Sequence, residues 1–195
     1  MNSLRNSLVA VGVVAVLGAT SCGGGAGQTA RPFPPRPADL RIVESPPCRA
    51  LSTDQLAQLD VAEPLPRNSS GLPECRFLTS DRRTWVVRVN AGVPAATYVP
   101  EDPNYQGDQL NYVEPRVTTV AGFGAVEFVN GITASSSDCV LAIDAGPEAT
   151  LLVNYLDTSS RGTLDRSVGS RAEGCAEASR VAAMVIDTAR ARLGS

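Results

Sequence analysis

Apolar and polar positions alternate clearly enough to divide much of this chain into elements. Over Glu74–Thr79, Cys75, Phe77 and Thr79 fall on one face; further on, Trp85, Val87 and Val89 alternate with Val86, Arg88 and Asn90. A period of two predicts half-buried strands. With Asp81-Arg82-Arg83 as the turn, they form an antiparallel hairpin that takes the single tryptophan into the core. Further strands are predicted over 117–120, 125–129, from Cys139 through Ile143, and over 150–156. Asn130-Gly131 between apolar segments is a hairpin signal, because both positions accept positive φ. Gly146-Pro147 turns the chain into the last strand, while residues 93–115 show no period.

Two helices complete the pattern. Ser52-Thr53-Asp54-Gln55 is a capping box, predicting a short helix through Leu59 that buries Leu56 and Leu59. After a polar stretch (157–169), Cys175, Ala178, Ala182, Val185, Ala189 and Leu193 recur three or four residues apart. They form one apolar stripe, with Glu173, Glu177, Arg180, Asp187 and Arg190 off it. The expected fold is α+β: a mainly antiparallel sheet with a short N-terminal helix and a long C-terminal helix packed on it.

The N-terminus has a different character. Arg5 precedes an apolar run of about ten residues from Leu8 to Leu17, too short to cross a bilayer, which takes roughly 20. Ala19-Thr20-Ser21-Cys22 follows and resembles the bacterial lipobox, with Ala19 where leucine is usual. Residues 1–21 are therefore expected to be a lipoprotein signal peptide and Cys22 the lipidated residue. The competing reading is an ordinary small-residue cleavage site. Residues 22–46 are expected to be a tether, Gly-rich at first and stiffened as polyproline II over Arg31–Pro37, with residues 47–195 a single domain. Pro34-x-x-Pro37 also fits a groove-docking motif, but a spacer is the simpler reading.

Composition narrows the chemistry. The chain has no histidine, which removes His-dependent nucleophiles, His general bases and His-ligated zinc. All 17 basic residues are arginine, scattered along a chain of net charge −3; no basic patch points to nucleic acid. Besides Cys22 there are four cysteines, Cys48, Cys75, Cys139 and Cys175. Outside the cytosol they are expected to form disulfides, and their spacings do not suit a Cys₄ zinc site. Three pairings are open. Cys48–Cys75 with Cys139–Cys175 is favoured because each joins sequence neighbours, and because the stripe headed by Cys175 faces the strand face that bears Cys139.

Several short patterns together resemble a family. They are Pro47-Cys48-x-x-Leu51-x-x-x-Gln55-Leu56, Cys75-Arg76-Phe77, Val120-Ala121-Gly122-Phe123-Gly124-Ala125, Cys139-x-Leu141 and Cys175-x-x-Ala178. The likeness is to actinobacterial lipoproteins classed as a domain of unknown function, and it covers the whole domain with signal and tether. It implies an envelope location and two disulfides, and it transfers no catalytic residue. Phe77 stands where tryptophan would be expected.

The segment from Tyr98 to Pro115 is the candidate binding surface. Tyr98, Tyr105 and Tyr112, with Asp102 and Asp108 among neighbouring amides and acids, have the composition of a recognition loop. Its competitor is a connector whose tyrosines fold back onto the core. Asp102–Asp108 partly resembles a calcium loop, but Val113 occupies the position of the bidentate glutamate. Gly122-Phe123-Gly124 lacks the third glycine of a dinucleotide fingerprint and reads as bending at a strand entrance. Ser135-Ser136-Ser137 has no base beside it, and no acid pair for glycoside cleavage stands out.

Neither metal nor cofactor is expected. The functional expectation is a lipid-anchored protein on the extracytoplasmic face of the membrane, non-enzymatic, binding an envelope protein partner through the tyrosine segment. The alternatives are a small ligand or lipid held between sheet and last helix, and a carboxylate-dependent hydrolase.

Overall fold

The computed structural model describes residues 32–106, 112–130, 138–157 and 170–194. Seven strands form one antiparallel sheet: β1 (Leu65–Ser69), β2 (Leu72–Leu78), β3 (Arg83–Ala91), β4 (Tyr112–Val120), β5 (Phe123–Asn130), β6 (Cys139–Gly146) and β7 (Ala149–Asp157). The spatial order is β1-β2-β3-β7-β6-β5-β4. Two meanders thus meet at the β3–β7 seam, where Trp85 pairs with Tyr155, Val87 with Val153 and Val89 with Leu151. The expected α+β architecture is the one observed.

Helix α1 spans Thr53–Gln58 and α2 spans Arg171–Leu193. Both start on the reciprocal hydrogen bonds of a capping box: Ser52 with Gln55, and Ser170 with Glu173. Such pairs satisfy backbone donors that the first turn leaves open. The stripe of α2 lies on the sheet, with Cys175, Ala178, Ala182, Val185 and Ala189 all buried alongside Val181 and Ile186. Leu193, assigned to that stripe, is 42 % exposed, at the last residue of the helix.

The main core lies between α2 and one sheet face, and includes Phe77, Trp85, Leu141, Ile143 and Leu151. A second, smaller core covers the opposite face, where Val126, Phe128, Val140, Ala142 and Leu152 pack with Tyr98 and Val99. Both faces of β6 and β7 are therefore dry, which explains their nearly continuous apolar runs. The disulfides are Cys48–Cys75 and Cys139–Cys175, the favoured pairing. The first ties the N-terminal segment to β2; the second ties the first turns of α2 to β6.

Four features depart from the pattern reading. Strand β1 went unpredicted because Pro66, Arg67 and Asn68 are all exposed and carry no alternation; its pairing with β2 alone makes it a strand. Strand β4 begins at Tyr112, earlier than expected, and accommodates Pro115 through an irregularity between Val113 and Arg116 where Glu114 has φ 53°. The hairpin turn of the C-terminal half is Ala121-Gly122 (φ 49° and 86°), with Val120 paired to Phe123. Asn130-Gly131 is not a two-residue turn: β5 ends at Asn130, β6 resumes at Cys139, and Gly131 lies outside the described residues.

The fourth departure concerns the tether. Residues 32–46, assigned to a free spacer, pack on the domain. Leu40 and Ile42 are buried in the main core, and the Leu40 N–H donates to the Ala145 carbonyl at 2.9 Å. Arg36 bridges Asp144 (2.7 Å) and Asp39 (3.2 Å), and Phe33 lies over Gly124. Burying these apolar side chains outweighs the freedom a spacer would keep. Pro34 and Pro37 belong to this docked strap. The signal segment and Cys22 lie outside the described residues.

Candidate functional site

The tyrosine segment does not assemble as one recognition surface. Tyr98 ends a 3₁₀ turn over Ala95–Tyr98 and is 1 % exposed. Its ring meets the Phe128 ring at 6.1 Å in an edge-on contact, and its hydroxyl accepts a 2.8 Å hydrogen bond from Asn90 Nδ2. Burial raises its pKa above the usual 10, against the Asn90 hydrogen bond and the nearby Arg88 charge. Tyr98 is a core residue, as the competing reading had it. Asp102 Oδ1 accepts the Asn104 N–H at 2.8 Å, closing a local turn. Tyr105 is half-buried, Tyr112 opens β4, and Asp108 lies outside the described residues.

Beside the Cys139–Cys175 bridge, Glu127 brings a carboxylate oxygen within 4.8 Å of the two sulfurs. Sulfurs bonded to each other are not thiolate ligands, so the cluster has no metal-binding chemistry. Glu127 instead pairs with Arg171 at 3.2 Å.

A more promising cavity, of about 810 Å³, opens where the docked N-terminal segment, the sheet and the end of α2 converge. Leu40, Ile42, Val87, Leu151, Val185 and Ala189 lie along it, all of them buried in the main core and none more than 8 % exposed. The rim carries Arg41, Arg49 and Arg192, opposed by Asp39 and Glu44. Local structure explains the placement. Leu40 and Ile42 are both buried, and between them Arg41 adopts φ 47°, a left-handed conformation rare for a side chain of its size. Pro47 starts the 3₁₀ turn Pro47–Arg49, and the Cys48–Cys75 bond holds that turn against β2.

Arg192 fastens the other wall, donating from Nη1 to Ser45 Oγ at 2.9 Å and from Nη2 to the Arg49 carbonyl. Asp39 is engaged by Arg36. Among the described residues, the side chains of Arg41, Arg49 and Glu44 form no ion pair or hydrogen bond.

A cavity of this size falls in the range of small-molecule sites, about 300–1,000 Å³. Sequence reading missed it because the three arginines looked scattered. Arg41 and Arg49 stand far from Arg192 in the chain, and no local spacing announces that they share a rim.

A family model described as "Protein of unknown function (DUF3558)" matches residues 17–188. The chain belongs to this family. The match takes in the whole DUF3558 sheet and most of α2, and with them most of the cleft lining. No curated protein and no solved structure matches the chain.

Proposed function

We propose that the protein is an actinobacterial lipoprotein, anchored through acylated Cys22 on the extracytoplasmic face of the membrane, and that it acts there as a non-enzymatic binding module for a small ligand or lipid. The observation that carries the binding reading is the cleft at the junction of strap, sheet and helix, whose mouth holds the guanidinium groups of Arg41 and Arg49, neither in an ion pair or side-chain hydrogen bond among the described residues. The anchor is supported by the lipobox-like Ala19-Thr20-Ser21-Cys22. It is also supported by cysteine arithmetic, since two disulfides consume the other four and leave Cys22 as the odd thiol. The absence of histidine and lysine supports a role in binding, because the usual bases for nucleophilic chemistry are missing.

The second reading is an envelope protein partner at the 99–106 segment. It is favoured by one observation: the Gln106 N–H donates to the Thr97 carbonyl at 2.7 Å, tying the end of that segment back to the Ala95–Tyr98 turn. Native mass spectrometry of the lipidated protein from its own host tests both. A bound small molecule beyond the lipid anchor is the expected result. An apo mass under gentle conditions, together with stoichiometric capture of one protein that Tyr105→Ala abolishes, overturns the small-ligand reading in favour of the partner.

A further inference from the structure

We infer that the end of the sheet where the strap enters rests against the lipid bilayer, with the proline-rich groove around Arg36 as the contacting surface. The inference rests on the lipid anchor at Cys22 proposed above and adds which face of the domain meets the lipid.

The place where the strap joins the domain sets the orientation. Phe33 lies over Gly124, and a Cβ on Gly122 would come within 3.4 Å of Pro37, so the strap enters beside the β4–β5 turn. By register the same end of the sheet carries the β6–β7 turn, with Gly146 opposite Ala149, and the end of β3, with Ala91 opposite Ala149. The far end is marked by Arg83 opposite Asp157 and lies about 30 Å away, the length of nine strand residues. Ten residues separate Cys22 from Pro32, and fully extended they reach about 36 Å at most. Turning the far end to the bilayer would draw them out nearly straight along the whole sheet. The strap end meets the lipid at any extension.

The surface at that end suits a bilayer. A groove of about 690 Å³ there is lined by Pro32, Pro34, Pro35, Pro94, Ala96 and Pro147 among others, and none of these six belongs to either core. Pro32, Pro34, Pro35 and Pro147 are exposed. Proline has no N–H, so a segment with proline at 32, 34, 35 and 37 gives up few hydrogen bonds to water among the headgroups. The charges of the groove are answered within it, because Arg36 bridges Asp39 and Asp144. No cation is left over to select anionic lipid, which makes phosphatidylcholine the apt probe.

The test uses the full lipidated protein in phosphatidylcholine vesicles whose headgroups carry a nitroxide quencher. A fluorophore on Ala38→Cys or on Glu148→Cys reports the strap end from two separate segments, both exposed. The same fluorophore on Leu78→Cys reports the far end, since Leu78 is 43 % exposed and pairs with Thr84. Melting temperatures near the parent's certify the variants. Both strap-end labels are expected to lose more than half of their emission and the Leu78 label to keep nearly all of it, because nitroxide quenching needs near-contact.

Unquenched strap-end labels, or equal quenching of all three, in protein that is acylated and floats with the vesicles, overturns the orientation and leaves the anchor standing. Quenching at Ala38 without Glu148 overturns it as well, since the strap alone then touches lipid. Protein that stays out of the vesicle layer and carries no acyl group on Cys22 removes the anchor reading itself.

Discussion

Replacing Gly124 by alanine tests whether the 32–46 strap is part of the folded domain. A Cβ added there would lie 2.4 Å from Phe33 Cβ, 2.5 Å from Cγ and 2.7 Å from Cδ1. These atoms sit at the root of the side chain, so no rotamer change clears them. Forcing a methyl group into a packed site costs about 1–3 kcal/mol. The strap has a cheaper exit, which is to release Phe33. A fully buried phenylalanine is worth about 1.5–3 kcal/mol, and half of that sets a ceiling near 1 kcal/mol. Gly124 does not occupy the left-handed region, so alanine also gains about 0.5 kcal/mol by restricting the unfolded chain.

Gly124→Ala alone is then expected to cost about 0.5 kcal/mol. Phe33→Ala alone is expected to cost about 1 kcal/mol, and the double variant about 0.5 kcal/mol, a coupling near 1 kcal/mol. Urea unfolding of the four proteins, followed by Trp85 fluorescence, measures the cycle. Trypsin cleavage after Arg41, the first arginine of the strap not followed by proline, should also accelerate in Gly124→Ala, because the strap is released. Strict additivity, with cleavage unchanged, refutes the packing of Phe33 on Gly124.

Two further predictions concern stability. Removing Cys139–Cys175 as the double alanine variant opens a loop of 36 residues and is expected to cost about 4 kcal/mol in guanidinium unfolding; a loss below about 1 kcal/mol would count against chain entropy as the main contribution. Tyr155 is pushed up to about 12, first by burial and then by the negative charges of Asp157 and Glu177. Both states are neutral well below pH 10, so its contribution is complete there. Between about pH 10 and 12 the unfolded chain alone ionises, and stability should fall; an ultraviolet titration of Tyr155→Phe against the parent that shows no late-titrating phenol lost would refute the assignment.

The degree to which the fold was legible varied with local chemistry. Strands β2, β3, β6 and β7 and helix α2 announced themselves because burial repeats at the period of each backbone. The disulfide pairing was legible for the same reason, since Cys139 and Cys175 each head an apolar face. Strand β1 was not legible, because an exposed edge strand has no buried side to impose alternation. Tyr98 misled because a tyrosine in an aperiodic segment looks like a contact residue, yet Asn90 lies where it can satisfy the hydroxyl inside the second core.

By itself the sequence determined the α+β class, the capping box at Ser52, the cysteine framework and the lack of histidine chemistry, because each rests on residue type or on spacing within one element. Only the tertiary structure decided the meeting of two meanders at β3–β7, the docking of the strap and the cleft at the end of α2. Those depend on contacts between segments more than a hundred residues apart, as when Arg36 finds Asp144 and Arg192 finds Ser45. Long-range burial energy chooses such partners, and no local pattern encodes which apolar slot is left for Leu40 to fill.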